Sequence, residues 1–456
     1  MTTDSPTPFE RLQAGVIRPG LCTHCGLCAG LSGGTLTMVE TAQGPLPMPS
    51  GPGPVTLPPQ AADACPGQGI DYPALYHYTF GTEPQNWLLG PYRRVYIGHA
   101  ADEAIRRRGA SGGAITRTLI YLLEAGLIDG AVAVRQGSPR PWDAEAVIAR
   151  TPEEVIACAQ SVYRPVPVLA ALAQMEAFEG RLALVGLPDQ VAALRRLQWM
   201  GHPAALRVEY VLGPYTGTNM YFGAIESYLR ANGVRGVEQI AELRYREGEW
   251  PGYLYIRLTD GRELKAEKFY YNYLIPFYIT RHTLLAVDFA NELTDISVGD
   301  AWSPKYEAKG QGFSVIVARS ERGEVLLETM HRAGLLVLEE ITAAEALAMH
   351  GHMLDFKKRG AFIRMDWRRA RGKPVPDYGY RPSGIRPARR LVEVVIAGLF
   401  AICGTRAARR LAELIPIGVL GPLFDTLRRA WKGLSRPVKR EGLGDYTVEI
   451  TTHDNP

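Results

Sequence analysis

The sequence predicts a mixed α/β protein, of the α+β or α/β class, that is built from three parts. A short segment with three closely spaced cysteines comes first, within residues 1–85. In residues 107–134 a glycine-containing loop precedes a helical pattern and the apolar run IDGAVAV, so residues 86–360 are predicted to form an α/β body. Residues 361–456 are basic and contain short apolar stretches, which predicts a helical C-terminal extension.

The composition is typical of a soluble globular protein. Of the 456 residues, 46% are hydrophobic and 21% are charged, and six cysteines are too few for a disulfide scaffold. The start, MTTDSPTPFERLQAG, lacks the apolar core of a signal peptide, and no window reaches the roughly 20 apolar residues of a membrane-spanning helix. We therefore expect a location in the reducing cytoplasm, where clustered cysteines are more often metal ligands than disulfides.

Charge is distributed unevenly along the chain. Residues 364–440 contain 18 Lys and Arg against 5 Asp and Glu, whereas the net charge of the whole chain is only +4. A basic region on an acidic body indicates an anionic partner, such as a membrane surface, a nucleic acid or an acidic protein. A nucleic acid is the least favoured of these, because the basic region lacks interleaved aromatic motifs.

Four cysteines have the spacing of an iron–sulfur site. Cys22, Cys25 and Cys28 lie three residues apart in CTHCGLC, and Cys65 is followed by proline in ADACPGQGID. Proline after the last ligand turns the chain away from a cluster, so the pattern predicts one 4Fe–4S cluster bound by these four thiolates. Structural zinc is the alternative, although zinc sites usually pair two Cys-x2-Cys units. The intervening stretch GPLPMPSGPGPVTLPP is predicted to be a loop, and His24 a surface residue.

A loop of small residues offers a place for a second cofactor. An iron–sulfur cluster moves one electron at a time and usually works with a group that splits an electron pair, commonly a flavin. Ala110, Ser111, Gly112 and Gly113 precede a stretch whose apolar residues recur at helical spacing. The free N–H groups and positive dipole end of such a helix bind anions, and a flavin pyrophosphate is one candidate. The alternative is that the loop is only an N-cap and a turn.

Longer motifs resemble the coenzyme F420 hydrogenase/dehydrogenase beta-subunit family. They run in family order from about residue 15 to about residue 330 and comprise CTHCGLC with CPG, RRGASGGAITRTLIYLLEAGLIDG, SVYRPVPV, LVGLPDQVAALRRL, RYREGEWPGYLYIRLTDG and DFANELTDISVGDAW with GQGFSVIVARS. The family includes deazaflavin-reducing subunits and proteins similar to reductases of the divinyl chlorophyllide 8-vinyl group and of 7-hydroxymethyl chlorophyll. The resemblance implies a small ferredoxin-like iron–sulfur segment, an α/β flavin-binding body and a redox partner protein such as a ferredoxin.

The resemblance also indicates residues that could serve FAD. They are the loop and helix-start residues Arg107, Ser111, Gly112, Gly113 and Thr116, and the later residues Tyr163, Arg164 and Asp300. Tyr163 could stack on the flavin ring or hydrogen bond to it, and Arg164 could face a phosphate or a ring oxygen. The alternatives are a core residue for Tyr163, a surface ion pair for Arg164 and a turn residue for Asp300. The sequence offers no nucleophile with an adjacent base, so no catalytic residue is assigned.

Four positions depart from the family pattern. Where relatives have cysteines that hold a second, flavin-proximal cluster, this chain has Asp189, Thr216, Thr283 and Ala286. Threonine and alanine do not replace thiolates, so the second cluster is predicted to be missing while the N-terminal cluster remains. This departure weakens the assignment to a chlorophyll-type reductase. We expect the four positions to converge in space and to form a pocket wall without thiols.

The C-terminal extension is predicted to be an arm followed by two helices. From about Ala361 the stretch FIRMDWRRARGKPVPDYGYRPSGIRPARR, residues 362–390, is basic and rich in Pro and Gly, which is typical of a linker. LVEVVIAGLFAIC and RRLAELIPIGVLGPLFDTLRRAWKGL follow as apolar helix candidates, the second broken by Pro416 and Pro422. Arginines flank both, so residues 385–440 could contact the inner face of a membrane peripherally. The alternative is a helical hairpin packed on the body or on a partner subunit.

These observations predict a flavin- and iron–sulfur-dependent oxidoreductase. It would pass electrons between a one-electron carrier and a hydride acceptor, which is a deazaflavin, a pigment precursor or another compound. The alternative function is a non-catalytic electron-transfer or assembly subunit of a membrane-associated complex.

Overall fold

The centre of the protein is a mixed sheet of eight strands. A computed structural model describes residues 6–451, except for the side chains of residues 269 and 270. The strands are, in chain order, β1 (Leu36–Thr41), β2 (Gly44–Pro49), β3 (Arg94–Ala100), β4 (Gly130–Gln136), β5 (Ala144–Ala149), β6 (Leu182–Val185), β7 (Val208–Pro214), β8 (Ile240–Glu247), β9 (Tyr253–Leu258), β10 (Glu263–Glu267), β11 (Ile296–Asp300), β12 (Ser314–Ala318), β13 (Leu336–Glu340), β14 (Tyr380–Pro382) and β15 (Val448–Ile450). Within the large sheet they follow the order β13-β3-β12-β11-β7-β6-β4-β5. The predicted mixed α/β architecture is therefore confirmed.

Five strands of the large sheet run in the same direction. Strands β11, β7, β6 and β4 pair in parallel, and β3 shares their direction because the antiparallel β12 lies between β3 and β11. Their carboxyl ends therefore meet at one edge, which we call the carboxyl edge. Open α/β sheets bind ligands outside the carboxyl ends of their strands.

Residues 6–451 also form α-helices, several of which cover both faces of this sheet. They are α1 (Pro8–Leu12), α2 (Leu27–Gly30), α3 (Pro59–Asp63), α4 (Tyr72–Phe80), α5 (Glu103–Arg108), α6 (Ala114–Glu124), α7 (Pro152–Ala157), α8 (Leu172–Ala177), α9 (Pro188–Trp199), α10 (Pro203–Leu206), α11 (Gly223–Ala231), α12 (Lys268–Tyr271), α13 (Leu274–Tyr278), α14 (Arg281–Leu285), α15 (Pro304–Glu307), α16 (Glu321–Arg332), α17 (Ala343–Asp355), α18 (Ala361–Arg369), α19 (Pro387–Cys403), α20 (Arg406–Glu413) and α21 (Ile417–Arg440). Helices α6 and α16 pack on one face, and α9 packs on the other. The central strands are consequently buried on both sides, which explains apolar runs such as SVIVA in β12.

Two smaller units lie beside the large sheet. Strands β8, β9 and β10 form an antiparallel sheet whose core is shared with α11 and α13. In the N-terminal segment, β1 and β2 form an antiparallel hairpin. The stretch between Cys28 and Cys65, predicted to be a loop, therefore contains a hairpin and the helix α3. The prediction failed because proline is tolerated on the two exposed edges of an isolated hairpin.

The predicted linker does not begin at Ala361. Helix α17, a π-helical turn at Phe356–Gly360 and α18 form one continuous helical run through this position. Phe362, Ile363 and Met365 are buried, so this part of the extension belongs to the core. The linker prediction is wrong here because a basic side chain of this segment is used inside the protein: Arg364 donates to the carbonyl oxygen of Leu284 at 2.6 Å and bonds to the buried Glu393.

Helices α19, α20 and α21 complete the extension. Pro416 is the N-cap of α21, as its predicted breaking role requires, but Pro422 lies inside the same helix. No single helix among residues 6–451 is long and apolar enough to cross a membrane. The pair α19 and α20 meets that length and composition only when both are taken together, and the two helices are bent by 73°.

Candidate functional site

The four cysteines of the predicted cluster come together in the N-terminal segment. Cys22 and Cys25 precede α2, Cys28 lies within it, and Cys65 follows α3. Burial raises the pKa of the Cys28 thiol, and the nearby Cys25, Cys22 and Cys65 raise it further. This mutual effect requires the four sulfur atoms to be neighbours, although 36 residues separate Cys65 from Cys28.

Backbone N–H groups point at these sulfur atoms. The N–H groups of His24 and Ala29 donate to Cys22 and Cys28, and those of residues 67 and 68 donate to Cys65. Four neighbouring thiols with N–H donors, of which Cys25 is buried and the other three are half-buried, have the chemistry of an iron–sulfur ligand set, in which hydrogen bonds to sulfur tune the cluster. Within residues 6–451, no group of three or more His, Cys, Asp or Glu side chains is arranged to hold a metal ion as it stands. A cubane cluster offers each thiolate a separate iron atom, so its ligands need not meet at one point.

The cysteine loop packs tightly on the segment that follows Tyr163 and Arg164. The N–H of Leu169 donates to the carbonyl oxygen of Cys25 at 2.9 Å. Gly26 has a φ of 88°, and a Cβ atom there would lie 2.6 Å from the backbone nitrogen of Ala170. Glycine is therefore required at this position for the close approach of two backbones.

Two buried histidines lead from the cysteine loop towards the carboxyl edge. His24, predicted to be a surface residue, is buried and its Nδ1 donates to the carbonyl oxygen of Pro45 at 2.9 Å. The His24 ring packs against the His282 ring with 5.3 Å between centroids, and His282 Nε2 lies 3.7 Å from Asp189 Oδ2. Burial lowers the pKa of both imidazoles, so both are neutral near pH 7. The cysteines and the carboxyl edge are thus joined by direct side-chain contacts.

The segments that carry the four missing cysteines converge at the carboxyl edge, as predicted. Asn291 Nδ2 donates to the carbonyl oxygens of Gly186 and Pro214, at 2.8 and 3.2 Å, and so ties together the turns after β6 and β7. The N–H of Thr216 donates to the carbonyl oxygen of Phe289 at 2.8 Å, which brings in the segment after α14. A buried lysine occupies this region: Lys357 Nζ donates to the carbonyl oxygen of Thr283 at 3.0 Å.

Lys357 lies close to two carboxylates. Burial lowers its pKa to about 8, while the negative charges of Asp189 and Asp288 oppose that decrease. Burial raises the pKa of Asp189 to about 6, and the Lys357 charge opposes that increase. The region predicted to lack a cluster is therefore filled by a charged network and contains no thiol from these four positions.

The glycine loop opens a helix at the carboxyl edge, as predicted. Gly113, with a φ of 72°, is the N-cap of α6, and Thr116 is buried in its first turn. The loop is closed by β12: the hydroxyl groups of Ser111 and Ser314 are hydrogen bonded at 2.7 Å, and the N–H of Gly112 donates to Ser314 Oγ at 2.9 Å. A Cβ atom on Gly112 would lie 2.7 Å from the carbonyl oxygen of Gly98 in β3. Glycine at position 112 is thus explained by backbone packing.

Tyr163 and Asp300 belong to one polar cluster, in which Arg246 is buried and the other members are half-buried. Both guanidinium ends of Arg246 bond to Asp300 at 3.0 to 3.1 Å, and Trp250 Nε1 donates to Asp300 Oδ1 at 2.8 Å. Lys268 Nζ lies 3.7 Å from the centroid of the Tyr163 ring. Sequence reasoning missed Arg246, Trp250 and Lys268, although two of them stand in the motif RYREGEWPGYLYIRLTDG.

The cluster shifts the proton affinities of its members. Burial raises the pKa of Tyr163, but the Lys268 and Arg246 charges outweigh burial and hold that pKa below its ordinary value. Burial also raises the pKa of Asp300, and Arg246, Trp250 and Lys268 together hold it low. Burial lowers the pKa of Lys268, partly offset by Tyr163. Tyr163 is therefore a phenol near two cationic side chains, Lys268 and Arg246, an arrangement that stabilises the phenolate.

The other two predicted arginines make ion pairs. Arg164 bonds to Glu40 of the N-terminal hairpin, and its guanidinium lies 4.4 Å from the centroid of the Phe222 ring. Arg107 is exposed and bonds to Glu103 at 3.0 Å. For Arg164, the structure therefore has the ion pair that was the alternative to phosphate binding.

A cavity of about 340 Å³ lies beside both candidate flavin segments, although Tyr163 itself does not line it. It is bordered by Arg108 just before the glycine loop, by Gln136 at the end of β4, by Val162 beside Tyr163 and by Tyr245 of β8. Both polar side-chain atoms of Gln136 and the Tyr245 hydroxyl are buried without a hydrogen-bond partner among the described residues. A second cavity, of about 760 Å³, lies at the opposite edge of the sheet, and Ser111, Gly112 and Gly113 line neither of the two.

Comparisons with known proteins agree with this architecture. Two family models match the chain: coenzyme F420 hydrogenase/dehydrogenase, beta subunit N-term, over residues 95–173, and the C terminus of the same subunit over residues 179–344. The cysteine loop and α18–α21 lie outside both matches. A solved structure with a similar fold belongs to the F420-reducing [NiFe] hydrogenase complex from Methanosarcina barkeri, with a TM-score of 0.51, 18% identity and coverage of 64% of this chain and 98% of that one.

Individual relatives carry the same family name or a related one. Coenzyme F420 hydrogenase subunit beta from Methanococcus voltae is 27% identical over 63% of this chain and 99% of that protein. Coenzyme F420-dependent sulfite reductase from Methanocaldococcus jannaschii is 25% identical over 75% of this chain, and the chain spans only about half of that protein, 51%. Because the two family models together cover more than half of the residues, the chain belongs to the coenzyme F420 hydrogenase/dehydrogenase beta-subunit family.

Proposed function

We propose that the protein is a flavin- and iron–sulfur-dependent oxidoreductase that passes electrons between a one-electron carrier and a hydride acceptor. One observation carries this proposal: the cysteine loop and the carboxyl edge are in contact through His24, His282 and Asp189. A redox chain needs its sites close together, and this contact supplies that proximity without a second cluster. The relatives named above are also redox proteins or subunits of them.

The four cysteines are the proposed ligands of one 4Fe–4S cluster. Cys22, Cys28 and Cys65 are half-buried, so the cluster would lie near the surface of the N-terminal segment. That position suits electron exchange with a small redox partner protein such as a ferredoxin. Because thiolate ligands persist in a reducing compartment, we propose that the protein is cytoplasmic.

FAD is the proposed second cofactor, held at the carboxyl edge. When bound, a flavin converts between one-electron and two-electron transfer. The first turn of α6 provides N–H groups for a phosphate, and the cluster of Tyr163, Arg246, Lys268 and Asp300 provides charge beside the ring. Gln136 and Tyr245 border the neighbouring cavity, where their buried, unpaired polar atoms are available to the acceptor.

Tyr163 is the proposed proton donor for the acceptor. A hydride adds negative charge to the acceptor, and a proton supplied nearby neutralises that charge. Tyr163 Oη carries such a proton in a buried place, and the Lys268 ammonium stabilises the phenolate that remains. The cofactor and the acceptor would therefore meet beside this phenol.

The cavity of about 340 Å³ is the proposed binding place of the acceptor. Its volume is at the lower end of the range of roughly 300 to 1,000 Å³ for small-molecule sites. Arg108, on its wall, makes no hydrogen bond or ion pair within residues 6–451, and burial lowers the pKa of its guanidinium. An acidic group on the acceptor would compensate this charge, so we propose a phosphate- or carboxylate-bearing acceptor.

Anaerobic purification tests the cofactor assignment. The protein should contain about four iron and four sulfide per chain together with a flavin, as one cubane and one FAD require. Cys65→Ser should lose most of the iron, whereas Cys403→Ser, which changes a cysteine far along the chain in α19, should retain it. Stoichiometric zinc without iron would refute the cluster. Flavin-free protein that copurifies with other subunits would instead support a non-catalytic role.

A further inference from the structure

Helix α19 exposes its apolar face to solvent. Leu391, Val394, Val395, Leu399 and Ile402 recur at spacings of three and four residues and are all exposed, up to 68% for Leu391. Because a helix has 3.6 residues per turn, these positions form one continuous stripe. A helix on the surface of a soluble protein normally turns such a stripe inward.

Ion pairs fix α19 in this orientation. Arg389 Nε donates to Asp355 Oδ1 at 2.8 Å, and Arg389 Nη2 donates to Glu393 Oε2 at 2.8 Å. Arg364 of α18 bonds to the same Glu393, which is fully buried. Rotating α19 to bury its apolar stripe would expose this network and leave Asp355 without one of its cations. The exposed stripe is thus a consequence of the fold.

The two following helices also expose aliphatic side chains. Leu411 and Leu414 lie at the end of α20, and Val419, Leu423, Leu427 and Leu434 recur along one side of α21. Leu414 and Leu434 are 80% and 79% exposed. We call these six residues and the five of α19 the apolar face. Large exposed apolar patches mark interaction surfaces in soluble proteins.

The charge around the apolar face is positive. Residues 387–440 contain eleven Lys and Arg against three Asp and Glu. Each of the three acids is engaged in an ion pair: Glu393 with Arg364 and Arg389, Glu413 with Arg230, and Asp425 with Arg428 and Arg429. Arg406, Arg410 and Arg436 are exposed. The face therefore combines exposed aliphatic side chains with cations whose charge no free acid on these helices offsets.

We propose that the apolar face docks on the surface of a bilayer that contains anionic lipids. Interfacial helices bury an apolar stripe at the boundary of headgroups and acyl chains, while arginines along their sides reach the headgroup phosphates. An acidic protein would also attract the cations, but the eleven exposed aliphatic side chains beside them match a lipid surface. This inference does not depend on the proposed redox activity.

Vesicle flotation tests the proposal with the full-length protein. Wild type should float with phosphatidylcholine vesicles that contain phosphatidylglycerol, and it should float less with pure phosphatidylcholine. High salt should weaken binding without abolishing it, since only the electrostatic part is screened. Replacing both Arg406 and Arg410 by Glu should weaken binding to the anionic vesicles by roughly tenfold or more.

The apolar contribution is tested separately. L423E together with L427E should abolish flotation, whereas L206E, which changes an equally exposed leucine on α10, should leave it unchanged. All these side chains are exposed, so circular dichroism should report the wild-type fold. Equal flotation of the L423E/L427E variant and wild type would overturn the proposal. So would the absence of flotation by wild type, or a shift from dimer to monomer in L423E/L427E, which would assign the face to a second copy of the chain.

Discussion

Lys357 donates a hydrogen bond from Nζ to the carbonyl oxygen of Thr283 at 3.0 Å, in the interior of the protein. Thr283 and Asp189 are two of the four positions where the family resemblance implies cysteines. Lys357 belongs to the helical run of α17 and α18 and lies beyond the residues that either family model matches. The region predicted to lack a second cluster therefore contains a buried cation among carboxylates.

Lys357→Met should destabilise the protein by about 3–5 kcal/mol. The substitution leaves Asp189 and Asp288 buried without the cation that offsets their charge, and an uncompensated buried charge has this cost. Lys373→Met is the control, because Lys373 is exposed and its loss should change the free energy of unfolding by less than about 0.5 kcal/mol. Urea unfolding measures both, and equal stability of the two variants would contradict the proposed network.

The sequence predicted those parts of the site that depend on local spacing. The three cysteines in CTHCGLC, Cys65 and the glycine loop at the start of α6 could be identified because each follows a short-range rule. The convergence of Asp189, Thr216, Thr283 and Ala286 followed from the family pattern alone. Asn291, which ties two of their segments together, gave no signal of its own.

The charged residues of the site could not be predicted in this way. Arg246 and Lys268 reach Asp300 and Tyr163 only because the sheet of β8, β9 and β10 folds over the carboxyl edge. In a sequence, such residues are indistinguishable from solvent-facing charges. The buried position of Lys357 could not be predicted for the same reason, because a helix segment with consecutive lysines and an arginine is typical of a protein surface.

Lys358→Met should cost about 3–5 kcal/mol near pH 8 and much less below pH 4.5. Lys358 Nζ lies 2.6 Å from Glu292 Oε1, and both groups are fully buried. Burial raises the pKa of Glu292 from 4.5 to about 7 even with Lys358 present, so the variant should have a still higher value. Below the unfolded value of 4.5 the carboxyl is protonated in both states, and the missing cation no longer matters.

The measurement is the free energy of unfolding of wild type and Lys358→Met as a function of pH. The difference should grow as pH rises through the folded pKa of Glu292. Lys305→Met removes an exposed pair with Glu339 and should cost less than about 1 kcal/mol at every pH. A constant cost for Lys358→Met across the range would show that Glu292 is not the group left uncompensated.

Tyr163→Phe should lower kcat by about 10²- to 10⁴-fold if Tyr163 Oη supplies the proton. The wild-type rate should fall as pH rises through the pKa of Tyr163, because the phenolate has no proton to donate. Lys268→Gln removes the cation that lowers this pKa, so the falling limb should move to higher pH. Tyr78→Phe is the control, since Tyr78 is exposed.

Steady-state rates with an artificial electron donor, measured on flavin-loaded protein, report these changes. Flavin content should be equal in wild type and Tyr163→Phe, which separates proton transfer from cofactor binding. A Tyr163→Phe enzyme with the wild-type pH profile would exclude the phenol as the acid. An unmoved limb in Lys268→Gln would assign the titration to another group.

The adjacent residues Arg107 and Arg108 allow a matched test of acceptor binding. Arg107 is exposed and bonds to Glu103, whereas Arg108 faces the cavity of about 340 Å³ and has no ion-pair or hydrogen-bond partner among the described residues.

Arg108→Ala should raise the KM for the acceptor by roughly 10- to 100-fold, the range for losing one charge-assisted hydrogen bond, with little change in kcat. Arg107→Ala should leave KM within about twofold, since it removes only a surface ion pair. Arg108 is half-buried and makes no ion pair or hydrogen bond within residues 6–451, so its removal should cost little stability, and the urea midpoint of Arg108→Ala should stay close to that of wild type. A large KM effect in Arg107→Ala with none in Arg108→Ala would place the acceptor outside the cavity and return Arg107 to the role that the family resemblance implies for it.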